Sequence, residues 1–153
     1  VVHPRPGRYP DPRIEGRLTV APPLTLFDVA QRGMSAQLVR MNAAASNLAN
    51  AGSIAGSEEA AYRPLRPVFA EQLDQATGLS TVRVGGVFRQ AASPIRTHDP
   101  DHPLADAEGN VWTAPVDEQA EMVEMLDASR QYQNLVEALS TAKQLMLETM
   151  RMK

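Results

Sequence analysis

The stretch TLFDVAQRGMSAQLVRMNAAASNLAN, residues 25–50, decides how the fold begins. Thr25 followed by Asp28 fits a capping box at a helix start, and Asn50 gives the helix a natural stop. Apolar residues recur in steps of three and four, which places them along one face: Phe27, Ala30, Met34, Leu38, Met41, Ala45 and Leu48. The end of the stretch, NAAASNLANAGS at residues 42–53, is built from small side chains. It therefore predicts close approach by another helix rather than a large core.

A second helical pattern covers residues 116–153, which contain neither glycine nor proline. Asp117 can cap its start, and Arg151 and Lys153 supply positive charge at its end, as the helix dipole favours. Apolar side chains follow a seven-residue a/d spacing: Met122, Met125, Tyr132, Val136, Leu139, Met146 and Met150. Four leucines widen this stripe: Leu126, Leu135, Leu145 and Leu147. A helix of this length would span about 50 Å. A periodic pattern this long is typical of a coiled coil.

The segment between the two helices has a different character. Residues 81–88 alternate as a strand does and then reach Gly85-Gly86, which predicts a turn or a bulge. Residues 52–59 are rich in Gly, Ser and Glu and predict a flexible loop, whereas residues 111–113 predict a short strand. Gly33 interrupts the first helix, which predicts that another element approaches its backbone there.

Three regions follow from these patterns. Residues 1–24 form a Pro/Arg-rich tail in which we expect no regular structure. Residues 25–52 and 116–153 together form a terminal-helix coiled-coil domain, and residues 53–115 form a loop and small β insert. The predicted fold is mainly α, with the terminal helices paired as an antiparallel coiled coil.

Composition excludes several classes of protein. A net charge of −3 argues against a nucleic-acid binder, and the absence of cysteine excludes disulfides and thiol catalysis. No apolar run approaches the ~20 residues needed to cross a bilayer, so we expect no direct membrane insertion.

The pattern His98-Asp99-Pro100-Asp101-His102 is the one candidate for chemistry. Two histidines and two aspartates could ligate a metal, and a metal-dependent hydrolase is therefore one alternative. Prolines at 100 and 103 oppose a helix that would align the two rings, and no third ligand follows a zinc-protease pattern. We predict that residues 97–109 form a turn-rich connector whose aspartates bond nearby backbone N–H groups, with no catalytic residue, metal or cofactor.

The apolar stripe of the second helix is wider than one partner helix can cover, and the first helix offers little burial. The sequence therefore predicts a protein completed by neighbouring subunits. We expect the subunit interface to include Met34, Leu38, Arg40, Met41, Asn42, Ala45, Asn47, Leu48, Asn50, Met122, Met125, Leu126, Tyr132, Val136, Leu139, Met146 and Met150. For Asn50 alone, simple helix termination is the preferred interpretation.

Two runs of sequence carry a family resemblance. The run GMSAQLVRMN at 33–42, continued by ASNLANA at 45–51, resembles the N-terminal signature of bacterial flagellar basal-body rod and hook proteins. The run EMVEML at 121–126, followed by TAK at 141–143, resembles the C-terminal end of the same family, although Asn134-Leu135 departs from its pattern. The segment DPDHPLAD at 99–106 resembles the proximal-rod members in particular.

This resemblance implies a structural subunit of the rod that crosses the periplasm, and not an enzyme. It implies assembly with copies of itself and with other rod proteins into a hollow helical shaft. It also implies export through the flagellar type III apparatus without a cleaved signal peptide. Two alternatives remain open: another flagellar axial protein of the rod or hook, and a cytosolic coiled-coil adaptor.

Overall fold

A computed structural model describes residues 25–152 and has two long helices on either side of a small β region. The helices are α1 (Leu26–Ala49) and α2 (Glu118–Arg151). The strands are β1 (Ile54–Ala55), β2 (Leu65–Leu73), β3 (Ser80–Arg89), β4 (Ile95–His98) and β5 (Asn110–Thr113). This order confirms the predicted arrangement of helix, insert and helix. The predicted tail at residues 1–24, like Lys153, lies outside the described residues.

Both helices begin where their capping residues predict. The Thr25 hydroxyl accepts a hydrogen bond from the Asp28 N–H at 3.2 Å, and Asp28 Oδ2 accepts one from the Thr25 N–H at 2.8 Å. This capping box lowers the pKa of Asp28. The largest cause is the hydrogen bond that the Thr25 hydroxyl donates to the carboxylate. Asp117 accepts hydrogen bonds from two backbone N–H groups of the first turn of α2.

Contacts between the helices run in opposite order along the two elements. A Cβ on Gly33 would lie 3.1 Å from Leu135 Cδ1, which confirms the predicted close approach at this glycine. Further along α1, Arg40 bonds Glu124 at 2.7 Å, and Asn47 then bonds Glu121 at 3.0 Å. As the position on α1 rises from 33 to 47, its partner on α2 falls from 135 to 121.

The last turns of α2 continue past the start of α1. Helix α2 has 34 residues and α1 has 24, and they are aligned near the start of α2. Every residue from Lys143 to Met152 is exposed. We refer to residues 143–152 as the C-terminal overhang.

The insert contains two antiparallel sheets. Strands β2 and β3 pair throughout, but Val68 faces Gly86 while Phe69 faces Val84, so Gly85 is the extra residue of a bulge. The predicted strand is thus confirmed, and of the turn or bulge predicted at Gly85-Gly86 the structure has the bulge. The turn that joins β2 to β3 lies at residues 74–79. Strand β5 lies between β1 and β4, which confirms the short strand predicted at 111–113.

Two short strands differ from the sequence interpretation. Strand β1 lies inside residues 52–59, which were expected to form a flexible loop, and β4 takes in Thr97 and His98, which were assigned to the connector. Both strands pair with β5 through their backbone. Backbone pairing requires no apolar alternation, so these strands left no pattern in the sequence.

The core consists of small side chains. Of the nine buried apolar residues in the described range, eight are alanines and the ninth is Val111. The largest fully buried side chains are Glu121, Asn47 and Pro64. Alanine removes little apolar area from water, so hydrophobic burial within one chain is small.

Candidate assembly interface

The end of α1 meets the start of β2 through the side chain of Asn47. Its Nδ2 donates to the Leu65 carbonyl at 3.0 Å, and its Oδ1 accepts from the Leu65 N–H at 2.7 Å. The Tyr62 hydroxyl donates to the same Oδ1 at 2.9 Å. The Asn47 side-chain amide thus bonds both the backbone N–H and the carbonyl of Leu65, as a neighbouring strand would.

Helix α2 joins this site through Glu121, whose side chain is 2% exposed. One carboxylate oxygen accepts from Arg66 Nη1 at 2.6 Å, and the other accepts from Asn47 Nδ2 at 3.0 Å. A buried carboxylate is tolerable only when it is paired and hydrogen-bonded, and both conditions hold here. We call Asn47, Tyr62, Leu65, Arg66 and Glu121 the polar junction. It fixes both helices to the insert.

Arg40 also links α1 to α2, about two helical turns before Asn47. Its Nε donates to Glu124 at 2.7 Å, Nη2 to Asp127 at 3.2 Å, and Nη1 to Gln37 at 2.9 Å. The hydrogen bond to Glu124 is the main reason that the pKa of Arg40 is raised further. A cleft of about 350 Å³ lies beside this group and the junction. Its charged lining residues are Arg40, Arg66, Glu121 and Glu124, which are paired with one another or with neighbours.

The residues predicted for a subunit interface fall into three groups. The exposed group comprises Leu38, Asn42, Ala45, Met122, Leu126, Val136, Met146 and Met150. The partly buried group comprises Met34, Arg40, Met41, Leu48, Asn50, Met125, Tyr132 and Leu139. Asn47 is fully buried and uses its polar atoms inside the chain. Asn50 Nδ2 donates to the Ser46 carbonyl at 2.8 Å, as expected of a residue that ends a helix.

The predicted stripe of α2 is partly covered by α1 and partly exposed. The inward face carries, among others, Met125, Tyr132 and Leu139 from that stripe, together with Ala128 and Leu135. The remaining members of the stripe, Met122, Val136, Met146 and Met150, are exposed. Leu126, which was predicted to widen the stripe, is exposed as well.

Other apolar residues at or near α2 are exposed as well. Val123 is 65% exposed and Met152 is 82% exposed, and neither was in the predicted set. The overhang adds Leu145 and Leu147, also exposed. Exposed apolar side chains of this kind, in a chain whose core is alanine, are typical of surfaces that partner proteins cover.

The polar junction was missed by the sequence interpretation, apart from Asn47. A signal was present: Glu121 lies seven residues before the buried Ala128 and therefore on the inward face of α2. A carboxylate on a buried face requires a cationic partner. The partner, Arg66, lies in the insert, and no local spacing connects the two residues.

The segment after β4 is held by its own backbone and aspartates. Asp106 Oδ1 accepts from the Glu108 N–H at 3.0 Å and from the Asn110 N–H at 2.7 Å. The backbone hydrogen bond from Asn110 is the largest cause of the lowered pKa of Asp106. His102 Nδ1 accepts from the Leu104 N–H at 3.1 Å. The prediction that an aspartate here bonds nearby backbone N–H groups is confirmed for Asp106.

Residues 25–152 contain neither a metal-binding cluster nor a membrane-spanning helix. No three side chains of His, Asp or Glu gather there in a way that could hold a metal ion. Neither helix in that range combines the length and apolar character that crossing a bilayer requires.

Comparison with known proteins places this architecture in a family. The family model "Flagella basal body rod protein" matches residues 27–52, and the model "Flagellar basal body rod FlgEFG protein C-terminal" matches residues 107–152. The flagellar basal-body rod protein FlgC of Salmonella typhimurium is 43% identical over 129 residues, which covers 83% of this chain and 95% of the relative. This chain belongs to the FlgC family of flagellar basal-body rod proteins.

More distant FlgC proteins agree. The protein from Aquifex aeolicus is 35% identical over 80% of this chain and 91% of its own length. The protein from Buchnera aphidicola (Acyrthosiphon pisum) is 33% identical over 83% of this chain and 95% of its own length. The two regions that the family models match correspond to helix α1 and helix α2. The FlgC family is one of structural rod proteins and not of enzymes.

Proposed function

We propose that the chain is a structural subunit of the flagellar basal-body rod and that it assembles through its terminal helices. Membership of the FlgC family supports the rod assignment. The observation that carries the assembly mode is the contrast between an alanine core and a long exposed apolar surface on α2. Neighbouring subunits would cover this surface and supply the burial that one chain lacks.

The helix pair is proposed to act as an antiparallel coiled coil, with the insert held at one end by the polar junction. The opposite order of contacts along α1 and α2 supports antiparallel pairing. In this arrangement residues 25–52 and 116–153 form the assembling domain, and residues 53–115 form the insert. A heterologous contact that repeats without closing generates a helical assembly, here a hollow shaft built with other rod proteins.

The outward face of α1 supports side-by-side packing. Its exposed residues recur every three or four positions and none is charged: Gln31, Ser35, Leu38, Asn42, Ala45 and Ala49. A helix face that remains in water normally carries charges. Short, neutral side chains allow another helix to approach closely.

Export and location follow the same proposal. The subunit would leave the cytoplasm through the flagellar type III apparatus without a cleaved signal peptide and join the rod in the periplasm. A core of alanines and one polar junction opens at small energetic cost, which suits a chain that must pass a channel unfolded.

The substitution Ala45→Glu tests the assembly role of this face. Ala45 is exposed in the single chain, so the variant should fold normally, whereas a carboxylate would be buried without a partner in the assembled seam. We expect circular dichroism to be unchanged, and swimming in soft agar to be lost in cells that carry only the variant.

A matched control is Ala91→Glu, which adds the same charge at an exposed position between β3 and β4. It should swim like the wild type. Normal swimming by Ala45→Glu would contradict the proposed role of the α1 face.

A further inference from the structure

The methionines of this chain differ in their access to solvent. Six of the seven lie on the two helices, and Met152 caps the C-terminal end of α2. Met152 is 82% exposed, Met150 67%, Met122 53% and Met146 47%. Met34, Met41 and Met125 are partly buried. The exposed thioethers are therefore concentrated on the surface of α2 that carries the proposed assembly contacts.

We propose that Met122, Met146, Met150 and Met152 are oxidation sites and that their conversion to sulfoxides by a peroxide stops a free subunit from assembling. This inference rests on the proposed function, because it assigns a modification to the same surface. The susceptible state is the subunit before assembly, when these thioethers face water.

The reaction balances with hydrogen peroxide as the oxidant. The methionine sulfur donates a lone pair to one peroxide oxygen, an S–O bond forms, and the O–O bond breaks. A proton transfer releases the other oxygen as water. Sulfur is oxidised by two electrons and the peroxide is reduced by two.

The product changes the assembly surface without entering the core. A sulfoxide is polar and chiral, whereas the thioether is apolar and flexible. Three of the four sites lie in the overhang, where no residue of α1 is alongside. Oxidation there would place strongly hydrated S=O groups in the seam that a neighbour must cover, and would leave the polar junction and the alanine core unchanged.

The experiment uses the purified full chain and a time course with hydrogen peroxide, followed by peptide mass spectrometry. We expect the four exposed methionines to be oxidised about five-fold faster than Met34, Met41 and Met125, because rates follow solvent access. Equal rates for the two groups would overturn the assignment of the sites.

Assembly is then measured by sedimentation of the same samples, with circular dichroism as a check on folding. The matched control replaces the four sites with an apolar side chain that peroxide does not oxidise: Met122→Leu, Met146→Leu, Met150→Leu and Met152→Leu. After peroxide, the wild type should lose about ten-fold in self-association affinity relative to its own untreated sample, with unchanged helicity. The leucine variant should lose none relative to its own untreated sample. Treatment with methionine sulfoxide reductases should restore the wild type.

The outcomes separate the two proposals. Untreated protein that associates neither with itself nor with another rod protein contradicts the proposed function, and the oxidation proposal falls with it. If untreated protein associates and oxidised protein associates equally well, only the oxidation proposal is overturned. A leucine variant as sensitive as the wild type would also overturn it.

Discussion

Glu121 shows how much of this fold depends on a single polar side chain. Its carboxylate is buried, and it holds one group from α1 and one from the insert at the same time. No apolar side chain could replace it without removing one of the two acceptors of the Asn47 amide and the ion-pair partner of Arg66. At the polar junction, hydrogen bonds and not apolar packing therefore determine how the two helices and the insert are oriented.

The substitution Glu121→Ala should therefore lower the free energy of unfolding by about 2 kcal/mol, because it leaves a buried donor unpaired. The loss is moderated because Arg66 is half exposed and can turn to water. Urea denaturation followed by circular dichroism measures the change. Glu137→Ala, an exposed change on the same helix, should stay within about 0.5 kcal/mol. Equal effects of the two changes would show that the junction contributes nothing.

Asp106 gives a pH-dependent counterpart. Its pKa is lower in the folded chain, so its hydrogen bonds to Asn110 and Glu108 stabilise the loop at pH values above the ordinary pKa range of aspartate. This contribution is lost as the pH falls through the lowered value. We expect the amide resonances of Glu108 and Asn110 to shift together in that acidic window. In Asp106→Asn this transition should be absent, and its persistence would assign the titration to another group.

At the scale of elements, the ends of the helices were predictable and their orientation was not. Thr25, Asp28 and Asp117 act locally, so a few neighbouring residues suffice to place both N-termini. The inward face of α2 depends on what competes to pack against it. The a/d stripe predicted Met122 and Met125 together, but α1 covers only the second well. A stripe wider than its partner does not state which half is covered.

Strands were predicted where an apolar alternation exists. Thr81 to Phe88 has one, whereas β1 and β4 are formed by pairing with β5. The same limit applies to the candidate interface. Burial of Asn47 follows from the position of Leu65 at the start of β2, which no local sequence pattern indicates.

Gly109 is the residue on which the β4–β5 loop depends. Its φ is +75°, and an added Cβ would lie 3.0 Å from both His98 Cε1 and Pro100 Cβ. Gly109→Ala should destabilise the protein by about 1–3 kcal/mol, because the backbone conformation and the space both exclude a side chain. Thermal unfolding tests this.

Gly52→Ala is the matched control, since nothing lies within 4 Å of its added Cβ and its φ is not in the left-handed region. It should be neutral or slightly stabilising. Similar losses in the two variants would contradict a specific role for Gly109.

For the whole molecule, stability is distributed unevenly. The polar junction lies where both helices meet the insert, whereas the C-terminal overhang has no packing partner in the chain. We expect backbone amides of residues 143–151 to exchange with solvent at least about ten-fold faster in the free subunit than amides near Ala128, which is fully buried. Hydrogen exchange with mass spectrometry measures this, and assembly should remove the difference. Strong protection of the overhang in a free monomer would contradict the need for neighbours.

The junction also sets a time order. Asn47 and Glu121 are 74 positions apart, with the insert between them. When a chain emerges N-terminus first, α1 appears well before Glu121, whose carboxylate completes the polar junction. During that interval the uncharged outward face of α1 is exposed to other molecules. A chain of this design therefore reaches its final shape only when Glu121 and the rest of α2 have arrived.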